Sequence, residues 1–136
     1  MRMRKEVAKV VAMERISRVA TVGRDGRPHV VPVCHAAAGG RVYFGTGRDS
    51  LKLRHLRANP NLALSVDLYA EDWSLLKGVL IQGAAAVIEG GPRFRKFRDL
   101  LYRKYPQYPK ESALGERDSV IIEITPRRVS SWGFKD

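Results

Sequence analysis

The stretch from Gly26 to Val66 decides the fold: GRPHVVPVCHAAAGGRVYFGTGRDSLKLRHLRANPNLALSV. Its β-branched and aromatic runs predict two strands, Pro28–His35 and Arg41–Thr46, joined by a turn of small residues at positions 36–40. The second run stops at a glycine, which is typical of a strand end. A loop, a short basic helix and a third strand complete the stretch. The pattern predicts sequential antiparallel pairing.

The basic segment after Thr46 has the start and stop signals of a helix. Asp49 or Ser50 supplies a cap for two helical turns, and the Asn-Pro pair at positions 59–60 ends them. Leu53 and Leu56 share the inward face. The sequence therefore predicts a helix of two turns that begins beside the end of a strand.

The residues at this helix start suit a phosphate group. Unpaired backbone N–H groups would gather there with Ser50, Lys52 and either Arg48 or Arg54. A solvated basic helix after a hairpin fits the same residues, because a cap followed by a lysine is common. The chain has no glycine-rich Walker or Rossmann pattern that would decide the matter.

Length, charge and cysteine content narrow the class. The 136 residues fit one domain, 1–136, and one cysteine, Cys34, suits a reducing cytoplasm. No apolar run is long enough to cross a membrane, and the N-terminal residues do not resemble a signal peptide. Residues 1–58 hold 13 basic and 4 acidic side chains, a balance of +9. Three kinds of partner would be attracted by this positive charge: a phosphorylated cofactor, a polyanionic cofactor tail, or nucleic acid.

The remaining segments predict a barrel with helices around it. An amphipathic helix is expected over 3–16 and a second over 93–105, while the K-Y-P-Q-Y-P-K segment at 104–110 is expected to be an irregular loop. Apolar runs predict further strands at 18–22, 62–67, 78–88 and 119–125, and a short last strand after Pro126. The sum is a mainly β fold: a six- to seven-stranded antiparallel barrel with about three peripheral helices.

The sequence offers little side-chain catalytic machinery. Cys34 and His35 are adjacent, so on a strand they point to opposite faces and cannot form a nucleophile–base pair. His29 and His35 lie about 20 Å apart if extended, so with Cys34 and His55 they do not form a metal site. No carboxylate pair stands in an apolar setting. A phosphate-binding site without acid–base side chains suits a cofactor that supplies the chemical reactivity itself.

The order of these elements resembles the pyridoxamine 5'-phosphate oxidase-like, FMN-binding split-barrel family. The resemblance covers about Ile16 to Phe134 and is strongest over Gly26–Val66. The segments V-D-L-Y-A-E-D-W-S and K-Y-P-Q-Y resemble a subgroup that uses the deazaflavin coenzyme F(420). The resemblance implies a homodimeric split barrel, with FMN or F(420) at the subunit interface and hydride transfer to a small organic substrate.

The resemblance also implies which residues bind the cofactor. Phosphate would be held after the Arg41–Thr46 strand, the ring would lie along the second strand, and further residues would approach from the partner subunit. These implied cofactor-binding residues are His29, Val30, Val31, Pro32, Val33, Thr46, Arg48, Ser50, Lys52, Arg54, Trp73, Lys77 and Gln82. Two have alternatives: Pro32 also fits an edge strand protected against aggregation, and Gln82 fits a subunit contact.

The sequence departs from true pyridoxamine phosphate oxidases. Pro28-His29 and Leu51-Lys52 stand where those enzymes place arginine residues, and the chain ends without their C-terminal arginine motif. Pyridoxamine phosphate is therefore not the expected substrate. The alternatives are a flavin-binding or storage module without turnover and, with less support, a nucleic-acid-binding protein, since the basic residues are scattered and match no recognition motif.

Overall fold

The computed structural model describes residues 3–135, and the sheet is built from seven antiparallel strands. The strands are β1 (Ser17–Val22), β2 (Pro28–Val33), β3 (His35–Ala38), β4 (Arg41–Gly47), β5 (Asn61–Leu68), β6 (Lys77–Ile88) and β7 (Ser119–Trp132). The helices are α1 (Lys5–Met13), α2 (Leu51–Ala58), α3 (Gly91–Lys104) and α4 (Tyr108–Glu111), with a 3-10 turn at Trp73–Leu75. The predicted mainly β fold with peripheral helices is confirmed.

One bent strand segment closes the sheet into a split barrel. The strand order is β2-β1-β5-β6-β7-β4-β3, so β2 and β3 stand at its two ends. Only Cys34 separates them in the chain. The segment pairs with β1 through its first half and with β4 through its second half. The two ends of the sheet are therefore brought together by continuous chain.

The hydrophobic core has two parts. Alternate residues of the strands fill the barrel interior, as in β5, where Leu62, Leu64 and Val66 are buried while their neighbours are not. A second cluster lies outside the barrel, where Phe94 and Leu101 of α3 pack near Ile121. Helix α3 thus covers one outer face of the sheet.

The bend at Cys34 corrects the predicted second strand. The sequence indicated one strand over Pro28–His35 followed by a turn of Ala36 to Gly40. In the structure the ladder shifts from β1 to β4 at Cys34, and the three alanines belong to β3. The turn consists of Gly39 and Gly40 alone, both with positive φ. Small side chains are typical of turns, but here the three alanines belong to the strand beside α1.

The end of the chain also differs from the prediction. The predicted break after Pro126 is wrong, because β7 runs unbroken from Ser119 to Trp132. Its pairing with β6 shifts between Gln82 and Gly83, opposite Arg127, and such a bulge accommodates a proline in the strand. A Cβ at Gly83 would lie 2.3 Å from the Thr125 carbonyl oxygen, so only glycine allows this approach.

The helices follow the prediction with two changes. Helix α1 is shorter than expected, and the short helix α4 begins within the predicted irregular loop at 104–110. The turn that joins β1 to β2 contains Gly26 at φ 76°. No helix within residues 3–135 is both long and apolar enough to span a bilayer.

Candidate functional site

A pocket of about 300 Å³ lies beside the first turn of α2, where β2, β4 and the segment after α3 meet. Three residues of the predicted site line this pocket: Pro32 and Val33 from β2, and Lys52 from α2. Its other lining residues are Cys34, Gly45, Tyr105, Gln107, Tyr108, Glu111 and Ser112. This Lys52 pocket therefore joins the strand predicted to face a ring to the lysine predicted to hold phosphate.

Lys52 is a half-buried cation without a compensating anion. Burial lowers the pKa of its ammonium, and no charged group in residues 3–135 contributes to that shift. Glu111 lines the same pocket, yet the two make no ion pair within the described chain. Burying a charge is costly unless it is paired. The pocket is therefore suited to an anionic ligand.

Strand β2 offers backbone groups to the same pocket. It stands at one end of the strand order, so β1 occupies only one of its two edges. A terminal strand leaves a row of N–H and C=O groups without ladder partners. Pro32 and Val33 of this terminal strand line the pocket, and Pro32, which has no N–H, can only accept a hydrogen bond through its carbonyl oxygen.

Residues at the end of α3 fix the opposite wall of the pocket. The Lys104 ammonium donates to the carbonyl oxygens of Glu14 (2.7 Å) and His35 (2.8 Å). The Tyr105 hydroxyl lies 2.7 Å from the His35 oxygen and 2.8 Å from that of Arg15. Burial, reinforced by Arg15, lowers the pKa of Lys104 to about 8. These contacts tie α3 to the bend between β2 and β3.

The tyrosines of this wall are held neutral. Burial raises the pKa of Tyr108 to about 12 and also raises that of Tyr105. Neutral phenols can donate hydrogen bonds and present flat faces. These two phenols carry no negative charge and present flat faces beside the unpaired Lys52, while Glu111 lines the same pocket.

The helix start has the predicted cap, but one predicted phosphate ligand is engaged elsewhere. The Ser50 hydroxyl accepts a hydrogen bond from the Leu53 N–H (3.2 Å), which confirms Ser50 as the cap. The Arg48 guanidinium instead donates to the Glu89 carboxylate (2.7 Å), the Glu89 carbonyl (2.5 Å) and the Glu116 carbonyl (2.9 Å). Its role as a phosphate ligand stays a prediction, and its contacts make it an anchor of the loop before α2.

Four other predicted residues lie away from the Lys52 pocket. Arg54 lines a depression on the other flank of α2. Gln82 lines one on the outer face of the sheet, and Lys77 lines one near the C-terminus, where its ammonium lies 5.5 Å from the Phe134 ring centroid. Trp73 is 72% exposed in its 3-10 turn. Within one chain the structure does not bring these side chains to Lys52.

The remaining predicted residues occupy the strands beside the pocket. Val30 is 60% exposed, whereas Val31 packs against the barrel core and Thr46 is buried opposite Val120. The buried Nδ1 of His29 has no hydrogen-bond partner among the described residues.

Sequence reasoning missed most of the pocket wall. The sequence placed Tyr105 at the end of the predicted helix 93–105 and Tyr108 in the predicted loop, and it did not single out Gln107, Glu111 or Ser112. The resemblance did point to the K-Y-P-Q-Y segment. The sequence could not show that this segment lies beside β2, because that placement depends on the bend at Cys34. Residues 3–135 hold no cluster of three or more potential metal ligands.

The fold and the pocket define a small split-barrel protein with a pocket beside its bent edge strand, lined by Lys52 and two tyrosines. The profile of the pyridoxamine 5'-phosphate oxidase family matches residues 3–133, and the chain belongs to that family. A curated relative, the 5a,11a-dehydrotetracycline/5a,11a-dehydrooxytetracycline reductase of Streptomyces rimosus, is 32% identical over 123 residues, which cover 87% of this chain and 74% of the relative.

Solved structures confirm the fold. An F420 reductase aligns with a TM-score of 0.76 at 22% identity, covering 94% of this chain and 98% of its own. The heme storage protein of Vibrio cholerae aligns with a TM-score of 0.79 at 15% identity, covering 97% and 94%. Proteins named for different ligands thus share this architecture, so the ligand has to be argued from the pocket residues.

Proposed function

We propose that this protein is an oxidoreductase that binds FMN or the deazaflavin coenzyme F(420) in the Lys52 pocket and transfers hydride to a small organic substrate. The observation that carries the proposal is the half-buried, unpaired ammonium of Lys52 beside the free edge of β2. The family and the reductase relative support the reaction class. The departures from pyridoxamine phosphate oxidases argue against pyridoxamine phosphate as the substrate.

Lys52 would hold the anionic end of the cofactor. An ammonium that loses hydration on folding gains more from a phosphate than an exposed lysine does, because the local dielectric is lower. The N–H groups at the start of α2 reinforce the attraction, since a helix N-terminus favours negative charge. Ser50 caps that terminus and keeps its first turn in place.

The residues along β2 would orient the ring. Pro32 and Val33 provide an apolar surface, and Tyr105 and Tyr108 close the other side. When bound, the cofactor supplies a hydride acceptor or donor, so the chain needs to supply position and exclude water. The lack of a nucleophile–base pair in the sequence agrees with this division of roles.

A second copy of the chain would complete the site. The Lys52 pocket is open in one chain, and several large apolar side chains are exposed: Val30, Leu51, Trp73, Leu75 and Trp132. Exposed apolar surface of this kind marks interaction sites. Trp73, Lys77 and Gln82, which lie away from Lys52 in their own chain, would then approach the ring from the partner. Light scattering of the purified protein should give a dimer mass.

Titration with each cofactor tests the proposal directly. FMN and F(420) differ in absorption and fluorescence, so their spectra on binding report affinity and identity separately. We expect one of them to bind at micromolar concentration or below, and the bound reduced cofactor to be reoxidised by an organic acceptor. Failure of both to bind at micromolar concentration would contradict the proposal. Binding without turnover against a panel of enone and quinone acceptors would favour a storage module.

A further inference from the structure

The Lys52 pocket carries opposite charges on two separate helices. Lys52 lies in the first turn of α2, whereas Glu111 is the last residue of the short helix α4, and both line the pocket. Glu111 is exposed, and it forms no ion pair with any residue of the described chain. The lysine suits the anionic end of a cofactor. The carboxylate therefore remains for a group of opposite charge.

Tyr108 lies on the same face of α4 as Glu111. The two residues stand three apart in the helix, a spacing that brings side chains to one face, and both line the pocket. The Tyr108 ring meets that of Tyr105 edge to face at 6.1 Å and that of Tyr102 at 5.7 Å between centroids. These contacts hold the Tyr108 ring in position on the face that carries the carboxylate.

The neighbouring tyrosine rings already attract cations of this chain. The Arg98 guanidinium lies 5.8 Å from the ring centroid of Tyr102, and that of Arg15 lies 4.8 Å from the centroid of Tyr105. Tyr108 has no such cationic partner in the part of the chain that the structure describes. Because an aromatic face attracts a nearby positive charge, Tyr108 is the ring of this cluster that is available to a cation from a ligand.

We propose that Tyr108 and Glu111 bind a cationic group of the substrate, so that the preferred hydride acceptors are planar organic molecules with an ammonium substituent. The inference rests on the proposed function, because it assigns the Lys52 end of the same pocket to the cofactor. An aromatic face next to a carboxylate suits an organic ammonium ion: the carboxylate supplies the opposite charge, and the ring packs against the methyl or methylene groups on the nitrogen.

A matched set of three enones tests the inference. They are benzylideneacetones with a trimethylammonio, a tert-butyl or a carboxylate group at the para position, and the first two have the same shape but differ in charge. Calorimetry on the full chain, with and without the cofactor, measures their binding, and turnover with the reduced cofactor gives kcat/KM. Wild type should bind the cationic compound roughly tenfold more tightly than the tert-butyl compound. The values of kcat/KM should show the same preference.

Four variants separate the contributions of the carboxylate and the ring. Glu111→Gln keeps the shape of an exposed side chain and should reduce the preference to about threefold, the contribution of the ring alone. Tyr108→Leu should reduce the preference to a similar extent, whereas Tyr108→Phe keeps the aromatic face and should retain it. The matched control is Asp99→Asn, which removes an exposed acid of α3 that does not line the pocket. It should behave as wild type, and circular dichroism should be the same for all four.

Three results would overturn the inference. Equal affinity of wild type for the cationic and tert-butyl compounds would show that the charge is not recognised. An equal loss in Asp99→Asn and Glu111→Gln would show that the preference follows net charge alone. Tightest binding of the carboxylate compound would show that Lys52 selects the substituent.

Failure of this inference is distinguishable from failure of the proposed function. FMN and F(420) should bind Glu111→Gln as they bind wild type. If neither cofactor binds wild type while the cation preference persists and depends on Glu111, the proposed function fails and the cation-binding site stands without it. If a cofactor binds and the preference is absent, only the assignment of Tyr108 and Glu111 fails.

Discussion

Arg48 and Lys52 stand four residues apart, and both were predicted to hold phosphate, yet their surroundings are opposite. Arg48 donates to three oxygen atoms of Glu89 and Glu116, which lie 41 and 68 residues along the chain. Lys52 is half-buried without an ion pair among residues 3–135, and burial alone lowers its pKa. The loop before α2 thus holds an arginine whose donors are used, and the first turn of α2 holds a lysine whose charge is unmatched.

The contrast shows that a cation's role depends on its acceptors. Both residues have the same local context in the sequence, a basic segment after a strand. They differ because Glu89, after β6, and Glu116, in the 115–118 segment, place acceptor oxygens beside Arg48 and not beside Lys52. An internally paired arginine stabilises the fold, whereas an unpaired buried lysine is a cost that a ligand can offset.

Replacing Lys52 should give the largest effect, and it should be on affinity. Hydrogen bonds to charged groups contribute about 1.5–3 kcal/mol, so Lys52→Met should weaken FMN or F(420) binding by roughly 10- to 150-fold. The melting temperature should stay the same or rise, because a desolvated ammonium is replaced by an apolar chain. Fluorescence titration and differential scanning calorimetry measure the two quantities.

The matched control is Lys9→Met, which removes an exposed lysine from α1. It should change neither quantity. A large fall in melting temperature with unchanged affinity in Lys52→Met would mean that Lys52 stabilises the fold and does not bind the cofactor.

Replacing Arg48 should mainly lower stability. Arg48→Ala removes the donors that tie the loop to Glu89 and Glu116, so the melting temperature should fall by several degrees. Arg48→Lys keeps the charge but lacks the planar fork that reaches three acceptors, so it should fall nearly as far. Cofactor affinity should fall less than in Lys52→Met. If Arg48→Lys keeps full affinity while Arg48→Ala loses as much as Lys52→Met, the charge at position 48 binds the ligand.

Alkaline pH should affect the role of Lys52 and leave that of Arg48 unchanged. Burial lowers the pKa of Lys52 in the folded protein, so at pH values between the folded and unfolded pKa the unfolded chain binds more protons. The contribution of Lys52 to stability therefore increases with pH across that window, while affinity for an anionic cofactor decreases. Lys52→Arg should flatten the affinity profile, because a guanidinium stays protonated. An identical alkaline loss in Lys52→Arg would assign the titration to another group.

The smallest effect is expected at Glu89. Its carboxylate is exposed, and exposed ion pairs contribute little. Glu89→Gln keeps the shape and leaves the carbonyl contacts of Arg48 in place. A shift in melting temperature close to experimental error is expected in a thermal scan, smaller than that of Arg48→Ala. A shift as large as that of Arg48→Ala would mean that the ion pair, and not the carbonyl contacts, anchors the loop.

Most strands followed from the sequence because alternation and turn residues are local signals. The capping of α2 by Ser50 and the inward placement of Leu53 and Leu56 were also predicted from neighbouring residues. The predicted strand boundaries were wrong where pairing with a strand distant in the sequence decides the structure. Pro126 stays within β7 because a bulge opposite β6 accommodates it, and residues 36–38 pair with β4 although their small side chains indicated a turn.

The sequence by itself determined the mainly β architecture, the short capped helix after β4, and a concentration of basic residues in the first half of the chain. It determined these because patterning, capping and charge depend on residues close together. Only the tertiary structure decided that Lys52 meets Pro32 and Tyr105 in one pocket, that Arg48 is engaged by Glu89 and Glu116, and that Arg54 lies on the other flank of α2. Those outcomes depend on which distant backbone and acidic groups approach each cation, and that is set by closure of the barrel at Cys34.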